Sequence, residues 1–544
     1  MAVTKHVGPF RKLPGKKIMN LVVAVAAASA FAGFPRGAPA RPRHAHATLV
    51  DGSPTEAASA VVVGGGPSGL ASACVLAKRG FQVTVLEQRA EPSPYEPQKA
   101  YLYLIDGRGQ QFTDLCGLTD QLAAPDLSVS STNYTVTRLM PDGERVEAVP
   151  PILETNNKPS YWIPRAGFLD LLLKGAPPNV KTVFGAQLVD VTKTADGAVE
   201  VVADCADGKQ MTLRPSLLVG ADGLNSLVRA KCATWSEKPA DFTPVLLPSP
   251  SSGLRYQMLR LPPAFPLDAS DASVKAEPRR AYSFRPSKTA PLGPTRLGLL
   301  PVADPNFPRT ANVILPPEHK VWGLSSAAAV SDWLRETFPA SPIDEIVSED
   351  EAAAFATATP GAFPAPCYSP KQHLLLPKAA ICLVGDAIHA FPPDIGQGVN
   401  AALADVMHLH RALQATPDGD GATDDAREML GRALPAYSET SGPEAEAVAR
   451  IAQIGFPYQY PITREANPLQ RIGWFANFFL RTFVLAKLAP KLFSPAAIVL
   501  VQRSHLSYQQ VWRMAGETTR RLQGIAAVGL IAAAWPWLRR LALA

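Results

Sequence analysis

The stretch AVVVGGGPSG, residues 60–69, decides the fold of this 544-residue chain. Its β-branched beginning predicts a buried parallel strand, and the Ala- and Leu-rich residues that follow predict a helix. In such a turn Gly64 makes the tight bend, Gly66 lets the backbone approach a pyrophosphate, and Gly69 lets the helix pack closely. A second predicted strand ends at Glu87, 23 residues after Gly64, where a carboxylate can bind an adenosine ribose. The pattern predicts a dinucleotide site and leaves FAD and NAD open, because both contain the same ADP half.

Two later segments have the same strand-to-turn character. Residues 217–223, LLVGADG, predict a strand that ends in a turn at Asp222, and residues 379–386, AAICLVGD, predict another that ends at Asp386. The stretch PPDIGQGVN, residues 392–400, then begins a helix whose free N–H groups and positive dipole end face any negative charge in front of them. Three distant parts of the chain are therefore expected to meet at one sheet.

Together these segments resemble the fingerprints of the class A FAD-dependent monooxygenases, and among them kynurenine 3-monooxygenase-like proteins. The resemblance implies FAD as cofactor, with Asp386 on its ribityl chain and Asp222 beside its pyrophosphate, and NADPH or NADH as electron donor. Segments around Arg108 and Arg165 resemble flavin-proximal parts of the same family, although Arg165 as a surface charge is the alternative. The residues expected to hold the cofactor are Gly64, Gly66, Pro67, Ser68, Gly69, Glu87, Gln88, Arg89, Arg108, Arg165, Asp222, Gly385, Asp386, Gly396, Gly398, Val399 and Asn400.

The C-terminal part and a few substitutions bear on the substrate. The segment 492–513 resembles the helical C-terminal domain of kynurenine 3-monooxygenase, which makes Tyr508 a candidate for lining the substrate pocket, with a core position on an amphipathic helix as the alternative. Asp394 replaces an aromatic residue that the family usually has before Gly396. Arg138 lies near, but out of register with, the arginine that binds the substrate carboxylate in the family. The sequence therefore leaves the substrate open.

The predicted fold class is α/β. It has a Rossmann-type FAD-binding domain like that of p-hydroxybenzoate hydroxylase, an antiparallel β-sheet substrate domain and a helical C-terminal region. The predicted boundaries are 1–58 for a targeting presequence, 59–239 for the first part of the FAD-binding domain with interleaved substrate-domain strands, 240–370 for the β-sheet substrate domain, 371–445 for the remainder of the FAD-binding domain and 446–544 for the helical region.

Charge and cysteine content exclude several classes of function. The formal net charge is +6, and residues 1–58 carry eight Lys or Arg against two acids, so the remainder of the chain is neutral. A neutral body lacks the basic footprint that nucleic acid requires, and we expect no nucleic-acid partner. The six cysteines form no C-x-x-C pair, and no metal site is expected.

The two ends of the chain predict targeting and membrane contact. Residues 1–58 resemble an organellar presequence, for which a plastid is favoured over a mitochondrion and an N-terminal membrane anchor is the alternative. Residues 524–538 are uncharged and follow Arg520 and Arg521, which predicts a peripheral membrane anchor. A buried terminal helix is the other interpretation.

The resemblance implies a monooxygenase that uses NAD(P)H and O2 to hydroxylate a small aromatic substrate through a C4a-hydroperoxide of the flavin. Such chemistry requires no side-chain nucleophile, so the catalytic residues are unassigned, and His389 is interpreted as structural. A flavin-dependent epoxidase or reductase acting on isoprenoids, and a non-catalytic membrane-associated flavoprotein, are the alternatives. The oligomeric state is not predicted.

Overall fold

The computed structural model of this protein describes residues 48–49, 58–91, 101–132, 135–148, 158–416, 423–456, 458–460 and 468–542. Apart from residues 48–49 and 58, the predicted targeting presequence lies outside the described residues.

A six-stranded sheet forms the centre of the FAD-binding domain. Its strands lie in the order His373–Leu375, Ala380–Leu383, Leu217–Gly220, Ser59–Val63, Gln82–Glu87 and Val180–Phe184. All neighbours are parallel except the first pair, which is antiparallel. Apart from Ser59, the strands Ala380–Leu383, Leu217–Gly220 and Ser59–Val63 consist of buried residues, most of them β-branched or leucine, as a parallel sheet covered on both faces requires. The Rossmann-type architecture predicted from the sequence is confirmed.

Helices cover this sheet and carry the loops that reach its edge. They are Pro67–Lys78, Gly107–Cys116, Thr119–Leu122, Arg165–Lys174, Leu227–Trp235, Gly398–Gln414 and Thr423–Ile454, with short 3₁₀ turns at Pro239–Asp241, Gly385–Ala387 and Pro393–Ile395. The Pro67–Lys78 helix is buried along nearly its whole length because Gly398–Gln414 packs beside it. The turn into each of these two helices therefore lies at the same end of the sheet.

The second large sheet has seven strands and forms the substrate domain. Their order is Gly361–Ala362, Arg255–Leu261, Arg309–Leu315, Leu297–Leu299, Ala281–Phe284, Val136–Leu139 and Arg145–Ala148. Only the pairing of Ala281–Phe284 with Val136–Leu139 is parallel. One face packs against the helices Ala327–Thr337, Ile343–Ile346 and Glu349–Thr357, which the sequence reading did not predict, and a 3₁₀ turn spans Lys320–Gly323.

Three smaller sheets complete the strands. The first contains Thr48–Leu49, Gln210–Leu213, Val199–Asp204 and Gln187–Lys193. The second contains Val245–Leu246, Cys367–Tyr368 and His389–Ala390. The third contains Leu102–Ile105, Tyr161–Pro164 and Val129–Ser130. The third sheet forms part of the wall of the candidate site, because its Tyr101–Tyr103 edge borders the cleft described below.

The C-terminal region is helical, as predicted. Its helices are Pro468–Phe479, Leu480–Leu485, Ala486–Leu488, Ala497–Leu500 and Tyr508–Ala542, and the second is a π-helical segment. Val501, Tyr508 and Val511 pack with Phe391 and Ile451 into one apolar cluster that joins this region to the FAD-binding domain. Within the described ranges, no helix has both the length and the apolar character needed to cross a membrane.

Candidate functional site

A cleft of about 580 Å³ lies where the central strands of the six-stranded sheet end. Of the residues expected to hold a cofactor, twelve line it: Gly64, Gly66, Pro67, Ser68, Glu87, Gln88, Arg89, Arg165, Asp222, Asp386, Gly398 and Val399. Eleven of these residues come from three separated parts of the chain, each at the end of a strand of the six-stranded sheet, and Arg165 follows the strand Tyr161–Pro164 of a smaller sheet. The carboxyl edge of an open parallel sheet is the usual place for a ligand in this architecture.

The glycine-rich turn leaves open space at one glycine and has no room for a Cβ atom at two others. Gly64 has φ +105°, and a Cβ there would lie 2.3 Å from the carbonyl oxygen of Ala221. A Cβ on Gly69 would lie 1.9 Å from the carbonyl oxygen of Gly64. A Cβ on Gly66 would meet nothing within 4 Å, although Gly66 lines the cleft. Packing therefore requires glycine at 64 and 69, whereas Gly66 borders open space.

The helix that follows this turn presents an uncapped N-terminus to the cleft. Gly66 is the residue before the Pro67–Lys78 helix, no side chain caps its first N–H groups, and the first turn holds no acid. Free N–H groups and the positive end of the helix dipole together make such a terminus a binding site for phosphate.

Glu87 is a buried, ionised hydrogen-bond acceptor at the end of its strand. Its Oε2 accepts a hydrogen bond from the N–H of Gly65 at 2.7 Å, and its Oε1 accepts from the N–H and the Nε of Arg89, both at 2.9 Å. Burial acts to raise the pKa of Glu87, but the hydrogen bonds and charge of Arg89 outweigh it and hold the pKa below its usual value. A carboxylate oxygen has two acceptor positions, so Oε2 retains one for a ligand hydroxyl.

Asp386 borders the other end of the cleft beside a buried charged network. Burial raises its pKa to about 7, the charge of His389 opposes that rise, and the charge of Asp405 adds to it. Asp405 in turn accepts hydrogen bonds from the Gly385 N–H at 3.0 Å and from Ser441 Oγ at 2.7 Å, and its Oδ2 lies 2.8 Å from His389 Nε2. His389 does not line the cleft, which agrees with its interpretation as structural.

Asp222 lines the cleft and also organises the helix that follows it. Its Oδ1 accepts a hydrogen bond from Ser226 Oγ at 2.6 Å, and its Oδ2 accepts one from the Val228 N–H at 3.2 Å. Burial raises the pKa of Asp222, although these hydrogen bonds act against the rise. The side chain is therefore both a helix-start acceptor and part of the cleft wall.

Three aromatic residues of the cleft wall were missed by the sequence analysis. Tyr101 and Tyr103 meet edge to face, with ring centroids 5.5 Å apart, and Phe363 comes from the edge of the substrate-domain sheet. The Tyr-Leu-Tyr alternation at 101–103 was a usable signal, because residues two apart on a strand face the same side. Phe363 had no such signal, since only the packing of the two sheets brings it to the cleft.

Arg108 and Asn400 were expected to contact the cofactor, and this contact stays a prediction. Neither side chain lines the cleft. The Arg108 guanidinium donates hydrogen bonds to the carbonyl oxygens of Val501 at 2.9 Å, Arg503 at 2.9 Å and Leu506 at 2.8 Å. Asn400 Nδ2 donates to the carbonyl oxygen of Leu104 at 2.9 Å. Both side chains bind other parts of the protein in its interior.

The remaining three predicted positions, Gly69, Gly385 and Gly396, lie behind or beside the lining residues and act through the backbone. Gly385 has φ +61° and Gly396 has φ +64°, a region that favours glycine. They shape the turns that enter the Gly385–Ala387 segment and the Gly398–Gln414 helix.

Tyr508 does not line the cleft, its buried position fits the core interpretation, and its role in a substrate pocket stays a prediction. It is 2% exposed, and its hydroxyl donates a hydrogen bond to Gln397 Oε1 at 2.8 Å. The Arg108 guanidinium lies 4.7 Å from the centre of the Tyr508 ring. The backbone N–H of Tyr508 donates a hydrogen bond to Glu444 Oε2 at 2.7 Å. Tyr508 therefore joins the C-terminal helix to the FAD-binding domain.

Comparison with known proteins agrees with this geometry. The family described as FAD binding domain matches residues 57–247 and 376–448. Kynurenine 3-monooxygenase of Salinispora arenicola (strain CNS-205) is 26% identical over 505 residues, covering 87% of this chain and 95% of that protein. Kynurenine 3-monooxygenase of Sus scrofa is 24% identical over 413 residues, covering 75% of this chain and 77% of that protein.

Solved structures share the fold at low sequence identity. A structure of 2-methyl-3-hydroxypyridine-5-carboxylic acid oxygenase has a TM-score of 0.51 and 19% identity, and it covers 84% of this chain and all of that chain. A structure of tetracycline destructase Tet(51) has a TM-score of 0.50 and 16% identity, and it covers 78% of this chain and 96% of that chain. Both likenesses show a shared fold.

Proposed function

We propose that this chain, which belongs to the class A FAD-dependent monooxygenases and is similar to kynurenine 3-monooxygenases, uses NAD(P)H and O2 to hydroxylate a small aromatic substrate. The observation that carries the proposal is the convergence of Glu87, Asp222 and Asp386 on one cleft, from segments that are far apart in sequence. The protein is an oxidoreductase and FAD is its cofactor. The electron donor, the substrate class and the oxygenation are the proposed parts.

The residues of the cleft fit an FAD molecule. The open space in front of Gly66 and the uncapped helix N-terminus suit a pyrophosphate, which carries negative charge and needs close backbone approach. The ionised Glu87, with a free acceptor position on Oε2, suits the hydroxyls of a ribose. The polar Asp386 beside Gly398 suits the ribityl chain and the ring that follow.

In this proposal the protein positions groups and excludes water, and it does not attack the substrate covalently. FAD, when bound, supplies the transfer of electrons from NAD(P)H and the activation of O2. The N–H groups at the start of the Gly398–Gln414 helix face the cleft and stabilise negative charge that develops near them. Tyr101, Tyr103 and Phe363 provide an apolar wall on which an aromatic substrate can pack.

Purified protein tests the proposal directly. We expect flavin absorption bands with about one FAD per chain, and consumption of NAD(P)H together with O2 when the correct substrate is present. Incorporation of label from ¹⁸O2 into the product separates a monooxygenase from a reductase, and the identity of the product separates aromatic hydroxylation from epoxidation. A colourless protein that cannot be reconstituted with FAD contradicts the proposal.

We also propose that the last helix associates peripherally with a membrane surface. Ile525, Val528, Leu530, Ile531 and Trp535 are each at least 60% exposed. Arg520 and Arg521 on the same helix are exposed and precede this apolar stretch, an arrangement that suits anionic lipid headgroups. Full-length protein should sediment with phosphatidylserine-containing vesicles, and a variant with Val528→Glu and Ile531→Glu should remain in the supernatant. Equal behaviour of the two proteins refutes this association.

Organellar targeting is proposed from residues 1–58, with a plastid favoured over a mitochondrion. Fusion of these residues to a fluorescent protein, with a control in which the basic residues before Ile18 are replaced by glutamine, tests the proposal. Import into neither organelle rejects it.

A further inference from the structure

Two of the six cysteines lie in contact on neighbouring helices of the FAD-binding domain. Cys74 belongs to the Pro67–Lys78 helix, and Cys116 is the last residue of the Gly107–Cys116 helix. The Cys74 thiol donates a hydrogen bond to the sulfur of Cys116, although the two residues are far apart in the chain. Both are free cysteines. We call Cys74 and Cys116 the thiol pair.

The two members of the thiol pair differ in their access to solvent. Cys74 is 1% exposed, because its helix is buried along nearly its whole length. Cys116 is half-buried, packs against the edge of the same core and is followed by the exposed Gly117. Gly117 has φ +68°, so the helix ends there in a left-handed turn. A reagent in solvent therefore reaches Cys116 before it reaches Cys74.

The surroundings of the thiol pair favour a thiolate on Cys116. The hydrogen bond from Cys74 lowers the pKa of Cys116, burial acts against this effect, and the positive charge of Lys78 adds to it. Lys78 follows Cys74 by four residues on the same helix, so the two side chains lie on one face. The negative end of a helix dipole disfavours a thiolate at a C-terminal position such as that of Cys116, and the ammonium group of Lys78 opposes this effect.

The same hydrogen bond keeps a proton on Cys74. It raises the pKa of Cys74, and burial raises this pKa further. The thiol pair thus has one sulfur that forms a thiolate near solvent and one protonated sulfur behind it. An accessible sulfur of lowered pKa with a second thiol in contact is the arrangement found in redox-active dithiols.

The other cysteines do not share these properties. Cys205 is also half-buried, but burial and the charges of two neighbouring aspartates raise its pKa. Cys232 and Cys382 lie close enough for their charges to interact, but each is 0% exposed, and burial raises the pKa of both. All six cysteines are among the described residues, and Cys116 is the one whose pKa is lowered.

We propose that the thiol pair is a redox site, which hydrogen peroxide oxidises to a disulfide between Cys74 and Cys116. The Cys116 thiolate attacks one oxygen of the peroxide, the O–O bond breaks, and Cys116 becomes a sulfenic acid while the other oxygen leaves as water. The sulfur of Cys74 then attacks the sulfur of Cys116, and the hydroxyl group leaves as a second water. Two electrons pass from the sulfur atoms to the peroxide, and the two protons that are needed come from Cys74 and from solvent.

The oxidation is reversible by thiol–disulfide exchange. Dithiothreitol returns two electrons and two protons, and it restores both thiols. The disulfide joins the helix that presents its N-terminus to the cleft to the end of the helix that carries Arg108. The inference does not depend on the substrate or on the electron donor of the proposed monooxygenase.

Thiol counting and peptide mass spectrometry on purified full-length protein, with and without added FAD, test the inference. Reduced protein has six thiols. After mild treatment of the folded protein with hydrogen peroxide, titration of the unfolded protein should find two thiols fewer. A peptide pair linked through Cys74 and Cys116 should appear, and dithiothreitol should restore the lost thiols. An unchanged thiol count, or a loss of thiols without this link, overturns the inference.

Single-residue variants test the order of the two steps. Cys116→Ser should keep its remaining thiols under the same treatment, because Cys74 has lost its route to the peroxide. Cys74→Ala, an apolar replacement at a buried position, should stop at a sulfenic acid on Cys116, which dimedone labels. Cys205→Ser changes the other half-buried cysteine and should form the disulfide as wild type does. Loss of the Cys74 thiol in Cys116→Ser at the wild-type rate overturns the inference.

A measurement on wild-type protein alone tests the reactivity of Cys116 without any variant that could fail to fold. Brief labelling with iodoacetamide at pH 7 compares Cys116 with Cys205, since both are half-buried. The thiolate is the reacting form, so Cys116 should be labelled about five to ten times faster than Cys205. Equal labelling of the two cysteines, or faster labelling of Cys205, overturns the role of Cys116.

Discussion

Replacing Arg108 with alanine removes the hydrogen bonds that join the start of the Gly107–Cys116 helix to the C-terminal region. The guanidinium donates to the carbonyl oxygens of Val501, Arg503 and Leu506 at 2.8–2.9 Å and to Asp106 Oδ2 at 3.1 Å. Arg108 is 4% exposed, so water does not replace these partners without a rearrangement. The variant therefore leaves several buried acceptors without donors.

The size of the effect follows from those acceptors. A buried carbonyl without a donor costs about 1–3 kcal/mol, and breaking a buried ion pair costs about 3–5 kcal/mol. Asp106 keeps other donors, the N–H of Gly109 and Gln397 Nε2, so the separate costs do not add fully. We expect detachment of the C-terminal region to become easier by about 3–5 kcal/mol, which raises the population of the detached form on the order of 10²- to 10³-fold.

Limited proteolysis measures this opening, because cleavage of a transiently exposed segment follows the population of the open form. Arg108→Ala should be cleaved on the order of 10² times faster than wild type between residues 501 and 507, at unchanged FAD content per intact chain. Arg108→Lys keeps the charge but has fewer donors, so it should give an intermediate rate. If Arg108→Ala keeps wild-type resistance and loses FAD, the structural role is refuted and the cofactor contact expected from the sequence is restored.

Three further predictions concern the cleft. Gly66→Ala should fold with an unchanged melting temperature and bind FAD at least tenfold more weakly. Gly69→Ala should fail to fold, because its Cβ would lie 1.9 Å from the carbonyl oxygen of Gly64. Thermal melting and flavin fluorescence titration distinguish the two variants. Glu87→Gln should weaken FAD binding by roughly 10- to 100-fold at pH 7, since hydrogen bonds to a charged acceptor contribute about 1.5–3 kcal/mol. The pKa of Glu87 is lowered, so this difference in FAD affinity from wild type should disappear only as acid protonates that carboxylate. Asp386→Asn should stabilise the FAD-free protein at pH 8 and not at pH 4. Folding raises the pKa of Asp386 to about 7, so the wild-type protein loses stability as pH rises through that value, and the variant does not. Melting temperatures of both proteins between pH 4 and pH 8 measure this difference.

Each of these predictions has an outcome that contradicts it. Full FAD affinity in Gly66→Ala means that no pyrophosphate approaches that backbone. If Glu87→Gln binds FAD more weakly than wild type by the same factor at every pH, the Glu87 carboxylate acts by shape and not by charge. Parallel melting curves for wild type and Asp386→Asn across the pH range mean that Asp386 does not titrate in the folded protein as described.

The order of elements near the nucleotide turn was predictable because the interactions that decide it are local. Strand, turn, helix and second strand follow one another within residues 59–87, and Gly69 is required by its contact with Gly64 inside this unit. The parallel register that pairs Val63 with Leu86 places Glu87 at the end of its strand, beside the turn that follows Val63. A carboxylate at that spacing therefore reaches Gly65, as its position in the chain indicated.

The orientation of the Arg108 and Tyr508 side chains was not predictable, because they bind residues that are distant in sequence. Arg108 binds carbonyl oxygens between 393 and 398 residues further along the chain, and Tyr508 binds Gln397, 111 residues before it. A motif indicates that an arginine lies near the cofactor, but it does not indicate the direction in which the side chain points. That direction depends on which acceptors the C-terminal region brings into the interior.

The seven-stranded sheet shows the same division. The sequence by itself predicted that residues 240–370 form a mostly antiparallel sheet, since runs of apolar residues are a local property. Only the tertiary structure decided that Val136–Leu139 joins this sheet, because Arg138 pairs there with Ser283, far along the chain. A shift of the register by one position would have turned Arg138 to the opposite face, since side chains alternate with a period of two.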